Sequence, residues 1–317
     1  MCLKSMLRIY SKEEFIMAIF KIIKNTLEGV YNTKIEWAKI PDGVTAIESN
    51  AFEDCKNLKS VIIPDSVKTI GRYAFKRCTS LKSITIPDGV TAIETGTFDN
   101  CTSIESIIIP DGVTAIWEDA FSGCISLKSI VIPDSVKTIG RCAFRSCRNL
   151  ESIVIPDGVT VIGDGAFWNC ESLKAITIPD GVKTIGSTTF DNCMSIESIT
   201  IPDSVKTIGS SAFNNCVSLK AITIPDGVTA IERDVFFSCT SLEDITIPDS
   251  IKTIGRAAFW NCSDNLKELV FEQLSEDCDF DLEAFEKIEK PQDDLKISDT
   301  EVAYGYAEMM FGEDSVW

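Results

Sequence analysis

The chain has 317 residues, 44% of them hydrophobic, and a net charge of −18 that divides into +3 over residues 1–40, −9 over 41–271 and −12 over 272–317. That balance excludes a nucleic-acid surface, because phosphate binding requires a basic one. Histidine is absent, which removes His-based triads, general bases and metal ligands and argues against an enzyme.

Residues 1–34 precede the regular part of the chain. Ser11 with Glu14 fits a capping box, and Phe15, Ile16, Ala18, Ile19, Phe20, Ile22, Ile23 and Leu27 follow as a mostly apolar run, which predicts a helix to about Asn25. Glu13 and Glu14 ahead of the run, with Lys21 and Lys24 inside it, do not fit a secretory signal, and the run is too short to span a bilayer. The expectation is a helical cap over the open end of the first repeat, in a cytoplasmic protein.

From Pro41 a proline recurs every 23 residues to Pro248, and a cysteine follows each by 14 residues, from Cys55 to Cys262. A phenylalanine stands three residues before each of these cysteines, from Phe52 to Phe259. A fixed period of this length marks a solenoid whose units touch only their neighbours, so residues 35–271 are expected to form one repeat array despite a length that would suit two domains. In Leu81-Lys82-Ser83-Ile84-Thr85-Ile86 the apolar positions and β-branched residues predict a short strand. Pro-Asp-Gly or Pro-Asp-Ser then turns the chain, Val90 and Ile93 point inward from a second extended piece, and the Phe and Cys lie on a tight helical or irregular turn. Each strand should stack in parallel on the last, about 4.8 Å away.

One column encodes the stacking register. The residue after the strand-opening Leu or Ile runs Lys82, Glu105, Lys128, Glu151, Lys174, Glu197, Lys220, Glu243 and Lys267, so neighbouring repeats set opposite charges side by side. The grid cysteines keep apolar company and would stack with parallel Cβ vectors, which predicts free thiols in a reducing or anaerobic setting. No CxxC-like cluster suggests a metal site, and no cofactor is expected.

After Cys262 the repeat decays through Leu266, Leu269 and Phe271, and Glu272 replaces the proline. Residues 272–317 read as an acidic cap or tail. Asp277, Asp279, Asp281 and Glu283 imitate half of a calcium loop, but the glycine is missing and Ile288 stands where the loop needs its bidentate Glu.

Function has to lie where the copies differ. The third and fifth strand residues, such as Ser83 and Thr85, are small hydroxyls in most copies, with Ile62, Ile108, Val131 and Val154 interrupting the rows, and no nucleophile with a base stands out. Twelve residues after the proline most copies are polar, yet Trp168, Phe237 and Trp260 are aromatic, while Arg141, Arg145 and Arg148 crowd one repeat. Aromatic residues and Arg anchor interfaces, which makes these six the candidate protein-binding residues.

The phrase Leu-x-x-Ile-x-Ile-Pro-x-x-Val-x-x-Ile-Gly-x-x-Ala-Phe-x-x-Cys, complete in Leu127 to Cys147, resembles the 23-residue class of leucine-rich repeat found in BspA-like surface antigens. The resemblance implies an α/β arc with a parallel sheet on its concave face and turns with second short strands on its convex face. It further implies non-enzymatic binding of a protein partner, and a cell-surface or secreted location as the alternative to the cytoplasmic one; a monomer is expected rather than an obligate oligomer. A structural or self-assembling surface protein is the alternative.

Overall fold

The computed structural model describes residues 20–262, the backbone of Glu268–Phe271 and Asp279–Phe280, and Ala284. Two compact units divide the chain, Met1–Val159 and Thr160–Trp317, and each is a repeat solenoid of parallel strands.

The described part of the first unit opens on a hairpin, not on a helix. β1 (Phe20–Ile23) pairs antiparallel with β2 (Thr26–Val30). Lys24 and Asn25 link them with φ of 48° and 62°, the paired left-handed residues of a type I′ turn, whose twist matches that of the flanking strands. β-Branched Ile22, Ile23 and Thr26 favour this form, and the edge of the first repeat supplies hydrogen-bond partners that a helix could not use. The remainder of the expected helix, Ser11 to Ile19, lies outside the described residues. Among the described residues there is no α-helix, so the α/β assignment and the helical cap are replaced by an all-β stack with a hairpin at its start.

β3 (Trp37–Lys39), β4 (Ala46–Ile47), β5 (Ser60–Ile62) and β6 (Thr69–Ile70) set the pattern that follows. β2 pairs in parallel with β4 and β4 with β6, while β3 pairs in register with β5. Phe20 and Leu27 are buried, and the Phe20 ring meets Phe52 edge-on at 6.4 Å, so the hairpin packs on the core of the first repeat. Further along the unit, Ser83–Thr85, Ser106–Ile108, Ser129–Val131 and Ser152–Val154 form one parallel sheet. Ala92–Ile93, Ala115–Ile116 and Thr138–Ile139 form a second, narrower one.

The second unit repeats the plan. Ala175–Thr177, Ser198–Thr200, Ala221–Thr223, Asp244–Ile247 and Glu268–Phe271 make a five-stranded parallel sheet. The short strand Thr253–Ile254 pairs with Ala230–Ile231 on one side and on the other with Asp279–Phe280, so Asp279 of the imitation calcium loop belongs to a rung of the stack.

Each proline from Pro41 to Pro248 opens a turn closed by its own carbonyl, as in Val90 N–H to Pro87 O at 3.0 Å and Val182 N–H to Pro179 O at 3.0 Å. Where the third turn residue is Ser, its hydroxyl donates to a valine carbonyl of the preceding repeat, Ser135 to Val113 at 2.6 Å and Ser204 to Val182 at 2.7 Å. The turn carrying Phe and Cys is irregular and has two left-handed residues per copy, such as Gly96 with Asn100 and Thr188 with Asn192. A backbone ladder joins these turns between copies, for instance Phe98 N–H to Ala120 O at 2.9 Å and Asn192 N–H to Asn214 O at 2.8 Å.

The core lies between ladder and sheet. Phe52, Phe75, Phe98, Phe121 and Phe144 are stacked with centroids 5.0–5.6 Å apart, as are Phe167, Phe190, Phe213, Phe236 and Phe259 at 5.5–5.6 Å. The cysteines are more than apolar filler. Cys101 Sγ donates to Phe75 O at 3.0 Å and Cys239 Sγ to Phe213 O at 3.2 Å, each reaching back to the preceding copy. All eleven cysteines among the described residues are buried and outside any disulfide, and burial pushes the Cys147 and Cys262 thiols up to about 12.

Two features of this core store measurable cost. Thr188 holds φ of 54° with a β-branched side chain, a conformation that Gly96 adopts in the first unit with no Cβ. Thr188→Gly should therefore raise the melting temperature, by about 1 kcal/mol of added stability after the entropy cost of glycine. Asp99 and Asp191 occupy equivalent buried sites, but Lys76 Nζ lies 3.0 Å from Asp99 Oδ2 whereas the side-chain partner at Asp191 is the neutral Asn192 amide, 2.9 Å away. Burial pushes the Asp191 carboxyl up to about 6. A raised carboxyl contributes stability below its ordinary range and loses it as pH climbs through the folded value. Asp191→Asn should thus melt higher than the parent at pH 7.5, with the difference closing by about pH 4.

Candidate interaction surface

Alternation along each three-residue strand decides what solvent meets. In Ser106-Ile107-Ile108 the middle residue enters the core and the outer two face outward. The fifth position of the repeat unit is therefore a column on the open face. In the first unit it reads Ile62, Thr85, Ile108, Val131 and Val154, and the last four are in register on adjacent strands. Ile108 is 68% exposed, Val131 79% and Val154 76%, which is far outside the habit of large aliphatic side chains. Ser106, Ser129 and Ser152 beside them are too small to shield them. In the second unit the same column reads Thr177, Thr200, Thr223 and Thr246, with Val270 in register on the last strand.

The charged column lies at the strand-opening margin of this face. Backbone bonds such as Glu105 N–H to Lys82 O at 3.0 Å and Lys220 N–H to Glu197 O at 3.1 Å place its members on successive rungs. Their side chains close as Lys82–Glu105 at 3.9 Å and Lys220–Glu197 at 2.9 Å; Lys59 pairs with Glu36 at 2.8 Å, and with Lys82 on the next rung it breaks the alternation there. The hydrogen bond from Lys59 lowers the Glu36 carboxyl below its usual value, and that from Lys220 does the same for Glu197. Counted by unit, residues 1–159 sum to zero and residues 160–317 to −18.

The six residues singled out by sequence sit on the turns, divided between the units. Arg141, Arg145 and Arg148 are exposed on the first. Arg141 Nη1 donates to Glu118 Oε1 at 2.9 Å, and both Arg141 and Arg145 oppose the rise that burial imposes on the Asp119 carboxyl. On the second unit Phe237 and Trp260 stack with centroids 6.3 Å apart and planes 5° from parallel. Trp168, Phe237 and Trp260 are all half-buried. The structure thus gathers Arg141 with Arg145 around Asp119 and Phe237 with Trp260. It gives part of each group's surface to neighbouring copies. The aliphatic column was the feature that sequence reasoning passed over: its signal was present as the interruption of the hydroxyl rows, read there as noise in a pattern of Thr.

Among the described residues, no group of three or more Cys, Asp and Glu is arranged to hold a metal ion, and no helix is long and apolar enough to cross a membrane.

No curated protein matches the chain. Among solved structures it is similar to a leucine-rich repeat protein from Bacteroides ovatus, at 30% identity over 84% of each chain with a TM-score of 0.53. It is also similar to a leucine-rich cell surface protein from Faecalibacterium prausnitzii, at 26% identity over 90% of this chain and 94% of that one, TM-score 0.48. The model of the BspA type leucine-rich repeat region matches residues 27–151 and 138–267 in six copies, and with the 23-residue grid of Pro, Phe and Cys this establishes that the chain belongs to the BspA-type leucine-rich repeat family.

Proposed function

We propose that the protein is a non-enzymatic scaffold that binds another protein through the open sheet face of its first unit. The observation that supports this is the aliphatic column: Ile108, Val131 and Val154 stand side by side, each more than two-thirds exposed. Keeping three such side chains in water forgoes about 1.5 to 3 kcal/mol apiece, a loss that a partner's apolar surface would recover. The stack around them is held at both margins by backbone bonds, so little ordering cost is left for binding. The turn residues provide competing locations, Arg141, Arg145 and Arg148 on the first unit and Trp168, Phe237 and Trp260 on the second, since aromatic and Arg side chains serve interfaces well.

The sheet and turn locations separate in one experiment. Cross-linking capture from native lysate and from extracellular matrix would compare the parent chain with Ile108→Asp/Val131→Asp and with Phe237→Ala/Trp260→Ala. A specific partner should be retained by the turn variant and reduced at least tenfold by the sheet variant. Loss in the turn variant alone would return the interface to the turns.

A further inference from the structure

The open face of the first unit has an internal symmetry that fits one partner above others. Its margin reads Lys82, Glu105, Lys128, Glu151 on four successive rungs, and its fifth-position column reads Thr85, Ile108, Val131, Val154 on the same rungs. We infer that this face pairs with the same face of a second copy about a two-fold axis that runs parallel to the strands, between the Glu105 and Lys128 rungs. The inference rests on reading the face as a binding surface, and it names the occupant.

The axis follows from the charges. A two-fold rotation parallel to the strands keeps each strand position opposite itself and reverses the order of rungs, as an isologous contact requires. An alternating column of even length is complementary to its own reverse. Lys82 then faces the partner's Glu151, and Glu105 faces the partner's Lys128. An axis placed on a rung would instead set Lys against Lys and Glu against Glu. The same operation lays Ile108 on the partner's Val131 and Thr85 on the partner's Val154, covering the exposed aliphatic side chains. Ser83, Ser106, Ser129 and Ser152 fill the column between with small side chains that allow close approach.

Net charge selects the first unit. Residues 1–159 sum to zero, whereas residues 160–317 carry −18 and place Thr on four successive rungs of the column, with Val only at the last strand, where the first unit has Ile and Val on three. Like faces of the first unit attract at short range without net repulsion, and faces of the second repel. Four rungs at about 4.8 Å by four residues at about 3.3 Å give on the order of 500 Å² over both copies, which belongs to weak, reversible contacts. The dimer is therefore non-obligate: where the chain is concentrated it covers the aliphatic column, and a tighter partner displaces the second copy.

Sedimentation equilibrium of the full chain tests this, run from about 10 μM to about 1 mM with circular dichroism to verify folding of each variant. The parent should show monomer and dimer only, with half-dimerisation at roughly 0.1 to 1 mM. Glu105→Lys, which turns two cross-face attractions into repulsions, should weaken the dimer about tenfold. Adding Lys128→Glu should bring it back to within about threefold of the parent, because the cross-face pairs are restored even though alternation within each chain is then broken. A parent that stays monomeric throughout, a dimer indifferent to Glu105→Lys, or a double variant that fails to recover would each overturn the proposal. If the parent is monomeric yet Ile108→Asp/Val131→Asp still loses a captured protein, the pairing falls and the binding face stands.

Discussion

Everything in this protein depends on one copy of the repeat stacking in register on the next. A single copy orders 23 residues around one Phe, one Cys and a few aliphatic side chains, and those cannot offset the conformational entropy lost. Stacking supplies the rest. Sheet bonds tie the strands on one side, the left-handed turns tie Phe and its neighbours on the other, and the thiol of each described grid Cys from Cys78 onward that is seen to donate does so to a Phe carbonyl of the copy before. The bonds on the turn side matter most to specificity, because they fix which residue of one copy meets which of the next. Gly140 shows the tolerance: a Cβ there would come within 2.7 Å of the Glu118 amide nitrogen in the preceding copy.

Much of this was legible in the primary structure because the same constraint acts on every copy. Proline at the turn, Phe and Cys in the core and the alternating Lys and Glu are repeated often enough to rise above local ambiguity. The segment before Pro41 had no copies to compare with, and there the reading went wrong. Phe20 to Leu27 has helix-like apolar spacing, but its Lys24-Asn25 pair accepts left-handed backbone and the sheet edge beside it rewards a strand. Tertiary pairing overrode a weak local pattern. The thiol donors were missed for another reason: position in a grid identifies a cysteine as buried, whereas the carbonyl it addresses belongs to a residue 26 positions earlier, visible only once the copies are stacked.

The surface was harder to read than the core. A solenoid spends its regular positions on stacking, so departures from the pattern carry what is particular to the molecule. Two kinds of departure looked alike in sequence and differ in space. Arg141 and the Phe237–Trp260 pair depart from the pattern yet spend part of their surface on neighbouring copies. Val131 and Val154 depart by a methyl-for-hydroxyl exchange and Ile108 by an ethyl-for-hydroxyl one, and all three spend little, since they point away from their own chain. Charge follows the same division: the unit with the aliphatic column is neutral, and the unit with the Thr column carries the acid.

Register-locked stacking makes a demand that ordinary globular cores do not. Excising Asp203 to Pro225, one complete 23-residue period, joins Pro202 to Asp226 and keeps the strand, turn, Phe and Cys columns in register, at the cost of setting Glu197 beside Glu243 in the exposed charged column, whereas excising half that length puts turn against strand. Thermal unfolding followed by circular dichroism, with native thiol reactivity as a second readout, distinguishes the cases. The full-period deletion should unfold cooperatively with its cysteines still protected, and a deletion of Asp203 to Asn214 should give a chain with exposed thiols and no cooperative transition. Equal damage from both deletions would contradict the account, because the fold would then depend on particular long-range contacts and not on repeating ones.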